Sequence, residues 1–155
     1  MKKNFVIILA ALAALTVFIN FRTAAQSPQG QSSTVWHSQD IGKPGMTGRF
    51  VQNGDLLEVY GSGADIWGAA DACHFVNVPW QDDVEIVAKV LGVEGTDPWA
   101  KAGLMLRDSL EDTSPQVMLA MTPEKGVTLI RRNQTGNRSE DDAHQPTHIT
   151  GLAKR

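Results

Sequence analysis

The 155-residue sequence contains a single cysteine, Cys73. A chain with one cysteine forms no internal disulfide, so in an oxidising compartment its stability must come from packing alone. We interpret Cys73 as a small buried hydrophobic residue rather than a nucleophile. The neighbouring His74 is no catalytic partner for it, because adjacent side chains on a strand point to opposite faces of the sheet.

Basic residues are also few. Removing Lys2, Lys3 and Arg22, which lie in an apolar N-terminal segment, from the 14 basic residues leaves 11 against 17 acidic ones. Binding to the phosphates of a nucleic acid needs a basic surface. We therefore expect no nucleic acid among the partners.

The predicted strands lack paired acids. Glycoside cleavage generally uses two carboxyl groups, and two acids share a face of one strand only at alternating positions. Glu58 and Glu85 each stand alone on a predicted strand, whereas 82–83 and 140–142 are polar runs typical of solvated loops. We therefore predict no catalytic residues and a protein that is not an enzyme, with a glycoside hydrolase-related domain as an alternative.

Residues 1–25 have the pattern of an export signal. Two lysines form the charged start, 5–21 is nearly all apolar, and 23–25 offers small residues for cleavage. An uncleaved anchor is the alternative, because the apolar run approaches the ~20 residues that span a bilayer. Cleavage leaves one domain's length of chain, which we expect to be secreted, periplasmic or at the cell surface, with no membrane contact.

After a polar stretch at 26–34, expected to be a flexible leader, the chain carries alternating apolar segments but no helical period. Gly, Pro, Asn and Asp clusters separate them, which predicts an all-β domain of antiparallel strands over 35–155. Pro and Gly in Pro123–Gly126 favour a hairpin turn. The strand candidates are Leu56–Tyr60, Phe75–Val78, Val84–Val93, Ala100–Arg107, Val117–Thr122 and Val127–Arg132.

Four strings occur in a distinctive order: Ser-Gln-Asp-Ile-Gly at 38–42, Asp-Ile-Trp-Gly at 65–68, Trp-Ala-Lys-Ala-Gly at 99–103, and Val-Thr-Leu-Ile-Arg-Arg at 127–132. Over about 36–132 the chain resembles the bacterial DUF1349 family, described as concanavalin A-like or "regulation of enolase protein 1"-like. The resemblance implies a concanavalin A-like jelly-roll β-sandwich, found in secreted proteins beside carbohydrate-active or adhesive modules. It implies no proven reaction.

The C-terminal part departs from that family. The segment 133–146 is almost all polar and is predicted to be a long loop, and 147–155 has room for one short strand. The resemblance implies further strands beyond this point, so the sandwich is expected to lack its C-terminal strands. An open sheet edge of this kind is a possible site for a protein partner or for another copy of the chain.

Four residues are our candidates for ligand binding: Trp67, Trp80, Lys101 and Arg107. Flat indoles stack on sugar rings, and the two tryptophans stand in or beside loops. The two basic residues share a strand face and can donate hydrogen bonds to sugar hydroxyls. The alternative is that they simply face solvent. For the other tryptophans, Trp36 and Trp99, we expect burial beside strands.

Asp65 and Asp71 flank the glycine-rich loop at 61–71 and are candidates for a weak calcium site, since calcium prefers carboxylate and carbonyl oxygens. The alternative is a local role in which the carboxylates accept backbone N–H bonds in turns. We expect no other cofactor. The expected function is a non-catalytic module that binds a polysaccharide or glycan, and the alternative is a structural or adhesion module that binds protein.

Overall fold

The computed structural model describes residues 35–81, 83–94 and 97–142, and the backbone of residues 3–10. Within these ranges the chain forms strands and no helix, so no described helix is long and apolar enough to cross a membrane. The strands are β1 (Lys3–Ala10), β2 (His37–Ile41), β3 (Arg49–Asn53), β4 (Leu56–Tyr60), β5 (Ile66–Trp67), β6 (Ala70–Asp71), β7 (Cys73–Trp80), β8 (Lys101–Arg107), β9 (Gln116–Met121), β10 (Val127–Arg132) and β11 (Glu140–Asp142).

Seven of these strands form one antiparallel sheet in the order β11-β10-β9-β8-β1-β7-β2. Strands β8 to β11 follow one another along the chain as a meander. The turn between β9 and β10 has Gly126 at a φ of 82°, a left-handed conformation that glycine adopts without steric cost. The hairpin predicted at Pro123–Gly126 is therefore confirmed, as is the all-β antiparallel character of the described chain.

The two faces of the large sheet carry separate cores. One face, here called the front face, is covered by the β5–β6 hairpin. Ile66 of this hairpin is buried in the cluster of apolar side chains on that face, and Trp67 packs against the cluster. Strand alternation directs residues two apart to this face, as with Cys73 and Phe75 of β7 and Met118 and Ala120 of β9. The front cluster consists of Ile41, Ile66, Cys73, Phe75, Met105, Met118, Ala120 and Ile130.

The opposite side, here called the back face, is covered by the β3–β4 hairpin and by the segment 83–94. Leu57 and Val59 of β4 are buried against Val76 and Ala102 of the sheet. These four residues form the back cluster, and Ala88, Val90 and Val93 pack against it. The architecture is therefore a seven-stranded sheet with smaller units on both faces.

Strand β8 approaches β9 closely at Gly103. A Cβ atom at this position would lie 1.9 Å from the backbone oxygen of Leu119, a distance that only separation of the two strands would relieve. The glycine in the Trp-Ala-Lys-Ala-Gly string is thus required by backbone packing.

Strand β1 falls inside the segment predicted to be an export signal. Its backbone pairs with β7 on one side and with β8 on the other, from Lys3 opposite Trp80 to Ala10 opposite Lys101. Cleavage after Ala25 would remove this strand from between its neighbours. In a cleaved, exported form β7 and β8 would therefore lack this shared partner, while the described residues that line the front-face pocket lie between Asp65 and Asp141. The cleavage site itself lies outside the described residues, as do 26–34 and 147–155.

Most predicted strands match the structure. Leu56–Tyr60 and Val127–Arg132 are confirmed to the residue, and the strands at 75–78, 100–107 and 117–122 are confirmed with small shifts at their ends. Two predictions are wrong. The segment 84–93 is not paired as a strand in the described part of the chain. The predicted polar loop at 133–146 contains strand β11, because the backbone of its three acidic residues pairs with the edge of β10.

Candidate functional site

A pocket with a volume of about 310 Å³ opens on the front face of the sheet, within the usual range for small-ligand sites. It lies where β8 begins and β9 ends, since Ala102 of β8 pairs with Met121 of β9. Six of its side chains are of three kinds: two indoles, two ammonium groups and two carboxylates. They are Trp67, Trp99, Lys101, Lys125, Asp65 and Asp141.

Trp99 is the most exposed aromatic side chain on the pocket wall. It is 50% exposed, so the expectation that it is buried is wrong. A turn holds its backbone, because the Trp99 N–H donates to Asp97 Oδ1 at 2.7 Å. The Lys125 ammonium lies 5.4 Å from the centre of the Trp99 ring, within cation–π distance. Asp97 thus fixes the Trp99 backbone and Lys125 lies over the ring, while half of the side chain stays exposed at the pocket.

Trp67 forms a second apolar wall. It stands on the short β5–β6 hairpin. Its side chain packs against the front cluster and also lines the pocket. Gly68, which follows it, has a φ of 65° and makes the tight turn of this hairpin. The structure therefore brings this predicted ligand-binding residue into the same pocket as Trp99.

Lys101, another predicted ligand-binding residue, also lines the pocket. Its Nζ atom lies 2.5 Å from Asp65 Oδ1, and the lysine is only 6% exposed. The same carboxylate oxygen accepts the Ile66 N–H at 2.7 Å. Asp65 therefore plays the local role that the sequence offered as the alternative to calcium, and it fixes an ammonium donor at the base of the pocket.

One oxygen in the pocket wall is unpaired among the described residues. Thr128 Oγ1 is buried and makes no hydrogen bond within the described part of the chain. Thr128 stands beside Ile130 on the front face of β10, and both line the pocket. A hydroxyl in this position can both donate and accept a hydrogen bond.

Arg107, which was also predicted to bind ligand, is buried away from the pocket. It is 2% exposed, its Nη1 lies 3.4 Å from Asp71 Oδ2, and its Nε donates to the Ser109 oxygen at 2.6 Å. Burial lowers the pKa of the Arg107 guanidinium, against the opposing effect of the Asp71 carboxylate. The prediction that Arg107 contacts a ligand is wrong, because its donors are used inside the fold.

Asp71 joins two arginines. Arg132 Nη2 donates to Asp71 Oδ1 at 2.6 Å and Arg132 Nη1 donates to Oδ2 at 3.0 Å, which is the bidentate geometry of a strong ion pair. The remaining donors of Arg132 reach carbonyls that include those of Gly68 and Asn137. This buried network ties the β5–β6 hairpin and the loop after β10 to the sheet.

The two residues of the predicted weak calcium site, Asp65 and Asp71, are both engaged in ion pairs within the fold. The first carboxylate is paired with Lys101 and the second with two arginines, so the oxygens already have cationic partners. Within the described residues no group of three or more His, Cys, Asp or Glu side chains is placed to hold a metal ion.

Trp80, the remaining predicted ligand-binding residue, lies apart from the pocket. It ends β7, is 42% exposed, and its Nε1 donates to the Asp83 carbonyl at 3.3 Å. Alternation along β7 places Trp80 on the same face as Val76, which is the back face. Trp36 is partly buried against the back cluster, in agreement with the burial expected for it.

Ser38, His74 and Asp40 form a hydrogen-bonded row on the back face. His74 Nδ1 lies 2.7 Å from Asp40 Oδ1, and its Nε2 lies 2.8 Å from Ser38 Oγ. Asp40 also accepts the Gly48 N–H at 3.1 Å. In the neutral ring with the proton on Nδ1, the Nδ1–H group donates a hydrogen bond to the Asp40 carboxylate, and Nε2 accepts a hydrogen bond from the Ser38 hydroxyl. The row joins edge strand β2 to β7, on the face opposite Lys101 and the pocket.

Cys73 is buried in the front cluster, and burial raises the pKa of its thiol to about 12. Since the thiolate is the reactive species, we expect alkylation of the folded protein at pH 8 to be about a thousandfold slower than that of the unfolded chain. Mass spectrometry after iodoacetamide treatment, with and without urea, measures this ratio. Comparable rates in the two samples would contradict the burial of Cys73.

No protein-family model, no curated protein and no solved structure matched the chain. The described residues therefore define its class by themselves: an all-β protein with antiparallel sheets and a pocket of mixed aromatic and ionic character.

Proposed function

We infer that the protein is an exported, non-catalytic module that binds a glycan in the front-face pocket, on a concanavalin A-like jelly-roll β-sandwich of the DUF1349 type. The observation that carries this proposal is the joint placement of Trp67 and Trp99 with Lys101 in one pocket. An indole face packs on the C–H face of a sugar ring, while a fixed ammonium group donates to its hydroxyls.

The charges of the pocket support a neutral sugar. Lys101 is paired with Asp65, and Lys125 and Asp141 bring one charge of each sign, so the four groups sum to zero. A strongly anionic ligand would have to displace one of the carboxylates. Hydroxyl groups, in contrast, can bond to ammonium, carboxylate and threonine groups alike.

The proposal is tested by titrating the protein with plant, algal and microbial polysaccharides while following tryptophan fluorescence. We expect a saturable shift with one class of neutral polysaccharide, because two pocket indoles change their surroundings on binding. The shift should be insensitive to EDTA, since Asp65 and Asp71 are paired with cations. A folded protein that gives no shift with any polysaccharide would contradict the proposal.

Glycoside hydrolysis is the competing activity, because two carboxylates, Asp65 and Asp141, line the pocket. A hydrolase needs one group to donate a proton and the other to act as base or nucleophile. Asp65 Oδ1 already accepts hydrogen bonds from Lys101 Nζ and from the Ile66 N–H, so this oxygen is engaged inside the fold rather than directed at a scissile bond. Sustained release of reducing ends from the bound polysaccharide, lost on substitution of Asp141, would replace binding by catalysis as the function.

A further inference from the structure

The segment 84–93 has the side-chain pattern of a strand without the pairing of one. The even-numbered residues are half-buried, with Ala88 and Val90 packed against the back cluster, and the odd-numbered residues 85 to 91 are exposed. Val87 is 55% exposed and Leu91 is 42% exposed. Such alternation is the signature of a strand lying flat on an apolar layer.

The backbone of this segment lacks hydrogen-bond partners in the described part of the chain. No strand pairing and no turn hydrogen bond there involves residues 84–93. Backbone N–H and C=O groups are obligatory hydrogen-bonding groups, and a row of them along an extended, β-branched segment is a template for another strand. Among the described residues, the segment is thus held in place by its side chains and its backbone edges are open.

We propose that the segment 84–93 is a dimerisation edge that pairs antiparallel with the same segment of a second copy, with Val87 opposite Val87. In this register Glu85 of each copy lies opposite Lys89 of the other, so two opposite-charge pairs form around the two-fold axis. The register also sets Val84 opposite Val90, which keeps the apolar side chains of both copies on one face.

Neighbouring registers are less favourable. Centring the pair on Glu85 sets two carboxylates opposite each other, and centring it on Lys89 sets two ammonium groups opposite each other. Centring it on Ile86 leaves the exposed Val87 opposite the charged Glu85. The sequence of alternating charges therefore selects the register centred on Val87.

Charge reversal in the full chain tests the proposal. Light scattering on the eluting protein should give twice the 16.8 kDa chain mass for the wild type. Glu85→Lys and Lys89→Glu should each give a monomer, because each places like charges opposite one another. The double variant Glu85→Lys/Lys89→Glu should restore the dimer, since it exchanges the two charges without changing the pairing.

Glu124→Lys is the matched control, because Glu124 is an exposed acid in the β9–β10 turn, outside the segment. It should remain a dimer. Glu85 and Lys89 are both exposed, so all variants should still fold and unfold cooperatively as protomers. A wild type that is monomeric at every concentration, single reversals that leave the mass unchanged, or a double variant that stays monomeric would each overturn the proposal.

Discussion

Replacing Asp71 with asparagine is expected to lower the free energy of unfolding by about 3–5 kcal/mol, the cost of leaving buried cations without their counter-charge. Asp71 and its partners Arg107 and Arg132 have fully buried side chains. Asparagine keeps the shape of the side chain and removes the charge that both arginines require. Urea denaturation followed by tryptophan fluorescence measures the effect.

Asp142→Asn is the matched control for this substitution. Asp142 also pairs with an arginine, Arg131, at 2.6 Å, but both side chains are exposed. Exposed ion pairs are screened by water and contribute less than about 1 kcal/mol. Equal destabilisation by the two substitutions would contradict the assignment of Asp71 to a buried network.

Replacing Trp99 with alanine is expected to weaken glycan binding about 30-fold, which corresponds to ~2 kcal/mol and to the usual loss of an aromatic anchor. Its ring is half exposed at the pocket and is not part of the front cluster, so the protein should still fold. Isothermal titration with the polysaccharide identified by fluorescence gives the affinity ratio.

Trp80→Ala is the control for loss of an exposed indole. Trp80 is exposed to a similar degree as Trp99, yet it stands on the back face and does not line the pocket. Its removal should leave the affinity within about twofold of the wild type, too small a change for a contact residue. A larger loss with Trp80→Ala than with Trp99→Ala would place the ligand on the back face.

Local patterns predicted the strands because alternation is a property of neighbouring residues. Val127–Arg132 is correct to the residue, since it is rich in β-branched residues and a turn precedes it. The same reasoning failed for 84–93, although its side chains do alternate in burial. Strand pairing needs a second segment alongside, and the pattern of one segment carries no information about that neighbour.

The candidate site could be predicted only in part. Alternation placed Lys101 and Arg107 on one face of β8, which is correct, but it could not show which loops cover each end of the strand. The end with Lys101 opens into the pocket, whereas the end with Arg107 is closed by its contacts with Asp71 and the Ser109 carbonyl.

Lys125 and Thr128 were missed for a related reason. The turn at 123–126 and the start of β10 are distant from Trp99 in sequence and reach it through the antiparallel pairing of β8 with β9. Combining that pairing with the strand period would have placed the turn beside the start of β8. The two-residue period of each strand shows which residues share a face, but it does not show which turn lies beside Trp99.

The most direct test of a glycan site on the front face is a crystal structure of the protein with the oligosaccharide that binds most tightly. We predict a sugar ring in contact with the Trp99 indole, with a hydroxyl within hydrogen-bond distance of Lys101 Nζ. A sugar bound beside Trp80 or Ser38 on the back face, with the front pocket empty, would contradict it.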